Sequence, residues 1–173
     1  MKRWTVGICV LLLLAVDMLT KWATVQYIPL IHTGPYLYPY QGIGVFQNFL
    51  GIEFSLCHTS NTGAAWGMFG DWQMYLLALR VCLIFAIAAY VALYVTDRRM
   101  QFPFALILTG AIGNVIDYFV YGHVIDMLHF VLWGYDFPVF NVADSLITLG
   151  VAGLMAITLV YGDQKSSKVH DVS

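Results

Sequence analysis

Charge is scarce in this chain. Lysine and arginine number eight and aspartate and glutamate ten among 173 residues, so 10% of positions are charged, where a soluble domain carries about 25%. A net charge of −2 without any basic stripe excludes nucleic acid as a partner. The three cysteines, Cys9, Cys57 and Cys82, are odd in number and far apart, which rules out a disulfide framework. No HExxH motif and no GxSxG elbow occur, so the signatures of zinc peptidases and serine hydrolases are both missing.

What fills the chain instead is apolar. Hydrophobic residues make up 60% of it and mean hydropathy is +0.75, which marks a membrane protein. Four stretches, at about 4–23, 73–95, 102–121 and 139–161, reach the roughly 20 residues that a helix needs to cross a bilayer. The first is not read as a cleaved signal peptide, because no small-x-small site follows it and Asp17 and Lys21 lie in its far end. Lys2, Arg3, Arg98, Arg99, Lys165 and Lys168 fall at the N-terminus, after the second span and in the tail, while 24–72 and 122–138 hold no lysine or arginine. The positive-inside rule then puts both termini in the cytoplasm and the two longer loops outside.

The expected fold is an α-helical membrane protein: a four-transmembrane-helix bundle with a small β-rich extracytoplasmic subdomain. Residues 1–163 form its one membrane domain. Segment 24–72 is rich in aromatic and β-branched residues broken by Gly and Pro, so it reads as short strands and turns. Segment 122–138 contains HVIDMLHFVLW, a short strand or an interfacial piece. The polar tail, 164–173, is expected to lie in the cytoplasm without fixed structure.

Acids at the edge of a bilayer are costly and ask for a function. Asp117 lies near the outer end of the third span and Asp144 near the outer start of the fourth, with Asp126 in the loop between them. Lys21 and Asp17 share a face one helical turn apart. Asn114 stands three before Asp117 and Asn141 three before Asp144, spacings that put each amide on its acid's helix face, where it can orient a carboxylate or hold a substrate backbone. Gly110 and Gly113 leave room for close helix approach. Asp17 with Lys21 also fits a plain structural ion pair, whereas Asp126 and Asp144 at one interface would repel unless they shared a proton. His123, Asp126 and His129 recur every third residue, but on a strand such residues point to opposite faces. No metal site is expected. Arg80 reads as an interhelical partner or a snorkelling side chain, and Asp71 and Asp97 as solvated caps.

Five short runs then carry a resemblance. DMLTK at 17–21, NTGAAWG at 61–67, GNVID at 113–117, VID at 124–126 and FNVAD at 140–144 are similar, in order and spacing, to the motifs of the lipoprotein signal peptidase (signal peptidase II) family of membrane aspartic peptidases. The resemblance implies that Asp126 and Asp144 are catalytic and that Asp17, Lys21, Asn61, Gly63, Asn114, Asp117 and Asn141 bind substrate or support the site, with Trp66 nearby. It implies bacterial prolipoprotein substrates whose lipobox cysteine carries diacylglycerol, cleavage before that cysteine, and no cofactor. The location implied is the bacterial inner membrane, with membrane lipids as neighbours and a monomer as the working unit. Two departures stand out. Tyr118 follows the GNVID acid where the family usually has arginine, with Lys21 a candidate to replace that cation, and the first outer loop is longer, with HTGPYLYPYQG as the extra material. The alternative from another class is a non-enzymatic four-helix carrier or accessory protein coupled to protons or cations. It would need polar groups in the inner half of the membrane, and those halves of spans one, three and four are almost wholly apolar.

Overall fold

Long apolar runs become long helices here, because in hydrocarbon every backbone polar group must bond within its own segment. The computed structural model describes residues 3–31, 37–61 and 73–170. Its helices are α1 (Arg3–Tyr27), α2 (Gln73–Tyr94), α3 (Arg98–Tyr121) and α4 (Val142–His170). Four apolar stretches, Trp4–Tyr27, Gln73–Tyr94, Arg98–Tyr121 and Val142–Tyr161, are long enough to cross a membrane. The strands are β1 (Ile43–Phe49) and β2 (Ile52–Asn61) between α1 and α2, and β3 (Val124–Leu132) and β4 (Tyr135–Asp136) between α3 and α4.

Helix ends differ from those expected of hydropathy, each for a local reason. α1 runs to Tyr27 rather than residue 23, and Pro29 just beyond disfavours further helix. Lys21 therefore lies six residues inside the helix end rather than two. α3 starts at Arg98 because Asp97, in extended conformation, caps it by accepting from the Arg99 N–H at 2.9 Å. It stops at Gly122, whose left-handed φ of 79° lets its N–H reach Tyr118 O. α4 begins at Val142, not 139, and continues through the tail to His170, where no fixed structure was expected.

The seam between α3 and α4 is cut close by glycine. A Cβ on Gly110 would strike the Ala143 carbonyl, and one on Gly113 would sit 2.5 Å from Asp17 Oδ2 and 3.4 Å from Ala143 Cβ. Three helices thus meet at one level. α2 packs on α3, with Tyr90 and Phe104 rings 5.9 Å apart, and Gln73 Nε2 donates to Gly122 O at 2.8 Å, tying the α2 start to the α3 end. At the opposite end of the bundle the Arg99 guanidinium lies 4.1 Å over the Tyr161 ring.

The two interhelix segments build a single antiparallel sheet, ordered β1-β2-β3-β4. The β-rich unit was expected mainly from the first segment, yet β3 from the second is paired on both sides. Segment 122–138 therefore resolves as strand. A register shift in β2 between Leu56 and Thr59 accommodates one extra residue opposite Met127, and Thr59 comes level with Asp126.

Candidate active site

Asp126 is the third residue of β3, and Asp144 lies in the first turn of α4. The returning backbone brings them together. Phe137 N donates to Phe130 O at 3.0 Å, and Phe140 and Leu128 exchange bonds of 2.8 and 3.1 Å. Running back along β3 in this way, the chain delivers Asn141 beside Asp126.

Asn141 is wholly buried and bonds to both acids. Its Nδ2 donates to Asp126 Oδ1 at 2.7 Å, its Oδ1 accepts from Asp144 N at 2.8 Å, and its own N–H donates to Asp144 Oδ2 at 3.4 Å. The last two bonds are the reciprocal pattern of a capping box. Asn141 is thus the N-cap of α4, not a helical residue sharing a face with Asp144 as the spacing suggested. Asn61 Nδ2 donates to Asp126 Oδ2 at 3.0 Å, and Asn114 Nδ2 to Asp144 Oδ1 at 2.8 Å. Burial, reinforced by the charge of Asp144, pushes the Asp126 carboxyl from 3.8 up to about 6, against the opposing pull of the Asn61 and Asn141 amides and Lys21.

Next to this pair sits a buried cation. The Lys21 ammonium reaches Asp17 Oδ2 at 2.8 Å, Asp117 Oδ2 at 2.7 Å and Asn114 Oδ1 at 3.1 Å, one acceptor for each of its three protons. Asp17 turns its other oxygen to Ala143 N at 2.8 Å, anchoring the N-terminus of α4, where a negative charge suits the helix dipole. Asp117 also accepts from Ile125 N at 3.3 Å, tying β3 to α3. Asp17 and Lys21 form an ion pair, as their spacing allowed, and that pair orients the helix carrying Asp144. The backbone bond from Ala143 leaves no mark in a residue pattern, and sequence reasoning missed it.

Asp126, Asp144, Asn61, Asn114, Asn141, Asp117, Asp17 and Lys21 all join one connected network. Gly63 and Trp66, with most of NTGAAWG, Asp71, and part of the HTGPYLYPYQG insertion, lie outside the described residues. Tyr118 is half-buried, and Lys21 lies directly on its neighbour Asp117. Arg80 is half-buried on α2. His129 stands on the face of β3 opposite Asp126, with Nε2 2.6 Å from Asp136 Oδ1 and Nδ1 3.5 Å from Ser55 Oγ. Cys57, beside His58, is fully buried and its thiol is pushed up to about 12 by burial, then by Asp126 and Asp136. It is no nucleophile at neutral pH.

The Asp126 face of β3 continues through Leu128 and Phe130. Phe130 stacks on Phe54 at 4.4 Å and on Phe140 at 6.0 Å, giving a half-open aromatic shelf that leads away from the two acids. The arrangement offers a paired acid and base, amides that hold them, and an apolar surface beside them.

A family model described as signal peptidase (SPase) II matches residues 9–160. A lipoprotein signal peptidase of Chlamydia felis is 38% identical over 138 residues, covering 78% of this chain and 79% of that protein. One from Bacillus subtilis is 31% identical over 159 residues, covering 91% and 94%. Among solved structures, a bacterial membrane enzyme determined by the in meso method at 2.3 Å resolution superposes with a TM-score of 0.78 at 25% identity, covering 94% of this chain and 92% of that one.

Proposed function

The chain belongs to the signal peptidase II family, and from that membership and the Asp126–Asn141–Asp144 geometry we propose that it is an aspartic endopeptidase of prolipoproteins. Membership makes it a peptidase of lipoprotein processing and a bacterial multi-pass membrane protein. The reading beyond that is ours: cleavage falls before a diacylglyceryl-modified cysteine, and the dyad works at the outer leaflet with both termini in the cytoplasm. Positive-inside bias supports this orientation, since the sheet end carries no lysine or arginine in 24–72 or 122–138. A carrier finds no support in the family.

The observation that carries the reading is one asparagine bonded to two acids. Two carboxylates so placed do not both ionise cheaply, so they hold one proton between them. The ionised partner takes a proton from water, which attacks the scissile carbonyl, while the protonated partner donates to the carbonyl oxygen. The titration belongs to the pair. Asn61, Asn114 and Asn141 keep both carboxylates aimed without fixing their charge. Asp117, Asp17 and Lys21 hold β3, α3 and α4 in register around them. The aromatic shelf lies where an apolar stretch of substrate would run.

Incubation of the purified protein with a diacylglyceryl-modified precursor, in detergent and with chelator present, tests the proposal. The wild type cuts before the modified cysteine. Asp126→Asn and Asp144→Asn each lose activity by roughly 10²–10⁴-fold or more while keeping the wild-type circular dichroism. Full cleavage by either folded variant would falsify the dyad.

A further inference from the structure

A second feature lies at the other end of the sheet. The β1–β2 turn at Leu50 and Gly51 and the β3–β4 turn at Trp133 and Gly134 sit side by side, joined by a 2.9 Å bond from Trp133 N to Gly51 O. The Trp133 ring lies against Gly51, where any Cβ would sit 2.6 Å from Trp133 Cδ1. A cavity of about 340 Å³ opens there, lined by Tyr40, Asn48, Gly51, Glu53, Val131 and Trp133.

Its chemistry is specific. Glu53 stands opposite Val131 in the ladder and accepts from the Tyr40 hydroxyl at 2.6 Å. No lysine or arginine occurs in 24–72 or 122–138 to neutralise it. Asp136, held by His129, adds a second acid near Tyr40. The His129 ring meets the Tyr40 ring edge-on at 4.6 Å. Burial, with Glu53 and Asp136, pushes the Tyr40 hydroxyl up to about 12, so it remains a donor to the Glu53 carboxylate, which lines the cavity. A carboxylate beside two aromatic rings is the usual means of holding an ammonium group.

The surroundings say where that ammonium comes from. Leu50 and Trp133 are 78% and 76% exposed, and Phe49 and Tyr135 are exposed as well. No charged side chain occurs in 43–52 or 132–135. An uncharged aromatic tip of this kind suits the headgroup layer. β3 springs from the end of α3, and its nine residues reach about 30 Å, far enough to set the tip down on the bilayer beside the bundle.

We propose that this cavity binds the ammonium headgroup of a zwitterionic phospholipid, seated on Glu53 between the Tyr40 and Trp133 rings. The lipid pins the far end of the sheet to the membrane and so sets the height of Asp126 above the bilayer. The proposal rests on the sheet lying at a membrane surface and not on the dyad. Native mass spectrometry of the detergent-purified full chain tests it, with phosphatidylethanolamine, its N-acetylated form and phosphatidylglycerol of identical acyl chains. The wild type retains phosphatidylethanolamine roughly five- to tenfold better than the other two. Glu53→Gln and Trp133→Leu lose that preference while still cutting a detergent-soluble precursor. Equal retention of all three lipids by the wild type overturns the proposal, as does a preference that survives both substitutions. Displacement of the lipid preference by a lysine-bearing peptide alone also overturns it, by assigning the cavity to a peptide side chain.

Discussion

The polar network at the sheet end of the bundle has two halves, each with a pair of aspartates. Asp17 and Asp117 share the ammonium of Lys21 at 2.8 and 2.7 Å. Asp126 and Asp144 are held by the amides of Asn61, Asn114 and Asn141, and neither forms a salt bridge among the described residues. The difference separates structure from chemistry. A cation at contact distance ties its partners to one another and to their helices, so the first pair serves as rigid scaffold. Amide donors fix position but leave the proton count of the second pair free to change, as a reaction that moves protons requires. Asn114 belongs to both halves, accepting from Lys21 and donating to Asp144.

Removing the cation should break this comparison most severely. Lys21 is fully buried and Asp17 and Asp117 nearly so, so Lys21→Met leaves two uncompensated carboxylates. The expected loss of stability is about 3–5 kcal/mol, read as a drop in the thermal or denaturant midpoint in detergent. By contrast, Asp126→Asn and Asp144→Asn remove a buried repulsion and should leave that midpoint unchanged or higher. Equal melting of Lys21→Met and the wild type would show that the two halves are not distinct in kind.

A smaller effect tests the second half alone. Asp126 is raised to about 6, by burial first and by the charge of Asp144 second. Asp144→Asn removes the second cause and keeps the first, so Asp126 should titrate below its wild-type value and still above 3.8. Carboxyl-labelled aspartate spectra read this directly. The sign for stability follows from linkage: a carboxyl raised on folding contributes stability in full below its unfolded value, and loses that contribution as pH rises through about 6. In Asp144→Asn the loss should begin at the same unfolded value but be smaller and complete at a lower pH. An unshifted Asp126 would mean that the two carboxylates do not sense one another.

Much of this is legible in the sequence. Four spans follow from apolar run length, and the clustering of Asp117, Asp126 and Asp144 from their places at the span ends. What hydropathy blurred were the helix ends, because a sliding window does not see a cap. Asn141 reads as one more residue of the fourth span until its side chain is found on Asp144 N. The sheet was half legible for another reason. β2 and β3 lie on either side of two spans, and pairing between strands so far apart in the chain depends on contacts that alternation within a strand does not encode. The contacts of Ser55, His129, Tyr40 and Glu53 escape the sequence for the same cause: their partners come from other strands or from the loop before β1.

Tyr118 sharpens the comparison at its weakest point. The family resemblance puts an arginine at this position, and Lys21, the candidate to cover for it, lies on the neighbouring Asp117 at 2.7 Å. Tyr118 contributes its carbonyl to the Gly122 cap, a backbone bond that survives any side-chain exchange, and its ring touches Phe119 edge-on at 6.1 Å. Tyr118→Arg should therefore keep full processing and change stability by no more than about 1 kcal/mol. If Lys21 does what an arginine here would do, the two cations are redundant, and Lys21→Met should cost less in the Tyr118→Arg background than alone. A coupling of about 1 kcal/mol or more in the double-mutant cycle is the expected result. Strict additivity, or a folded but inactive Tyr118→Arg protein, would mean that the pocket has been rebuilt around Tyr118 and that Lys21 serves Asp17 rather than Asp117.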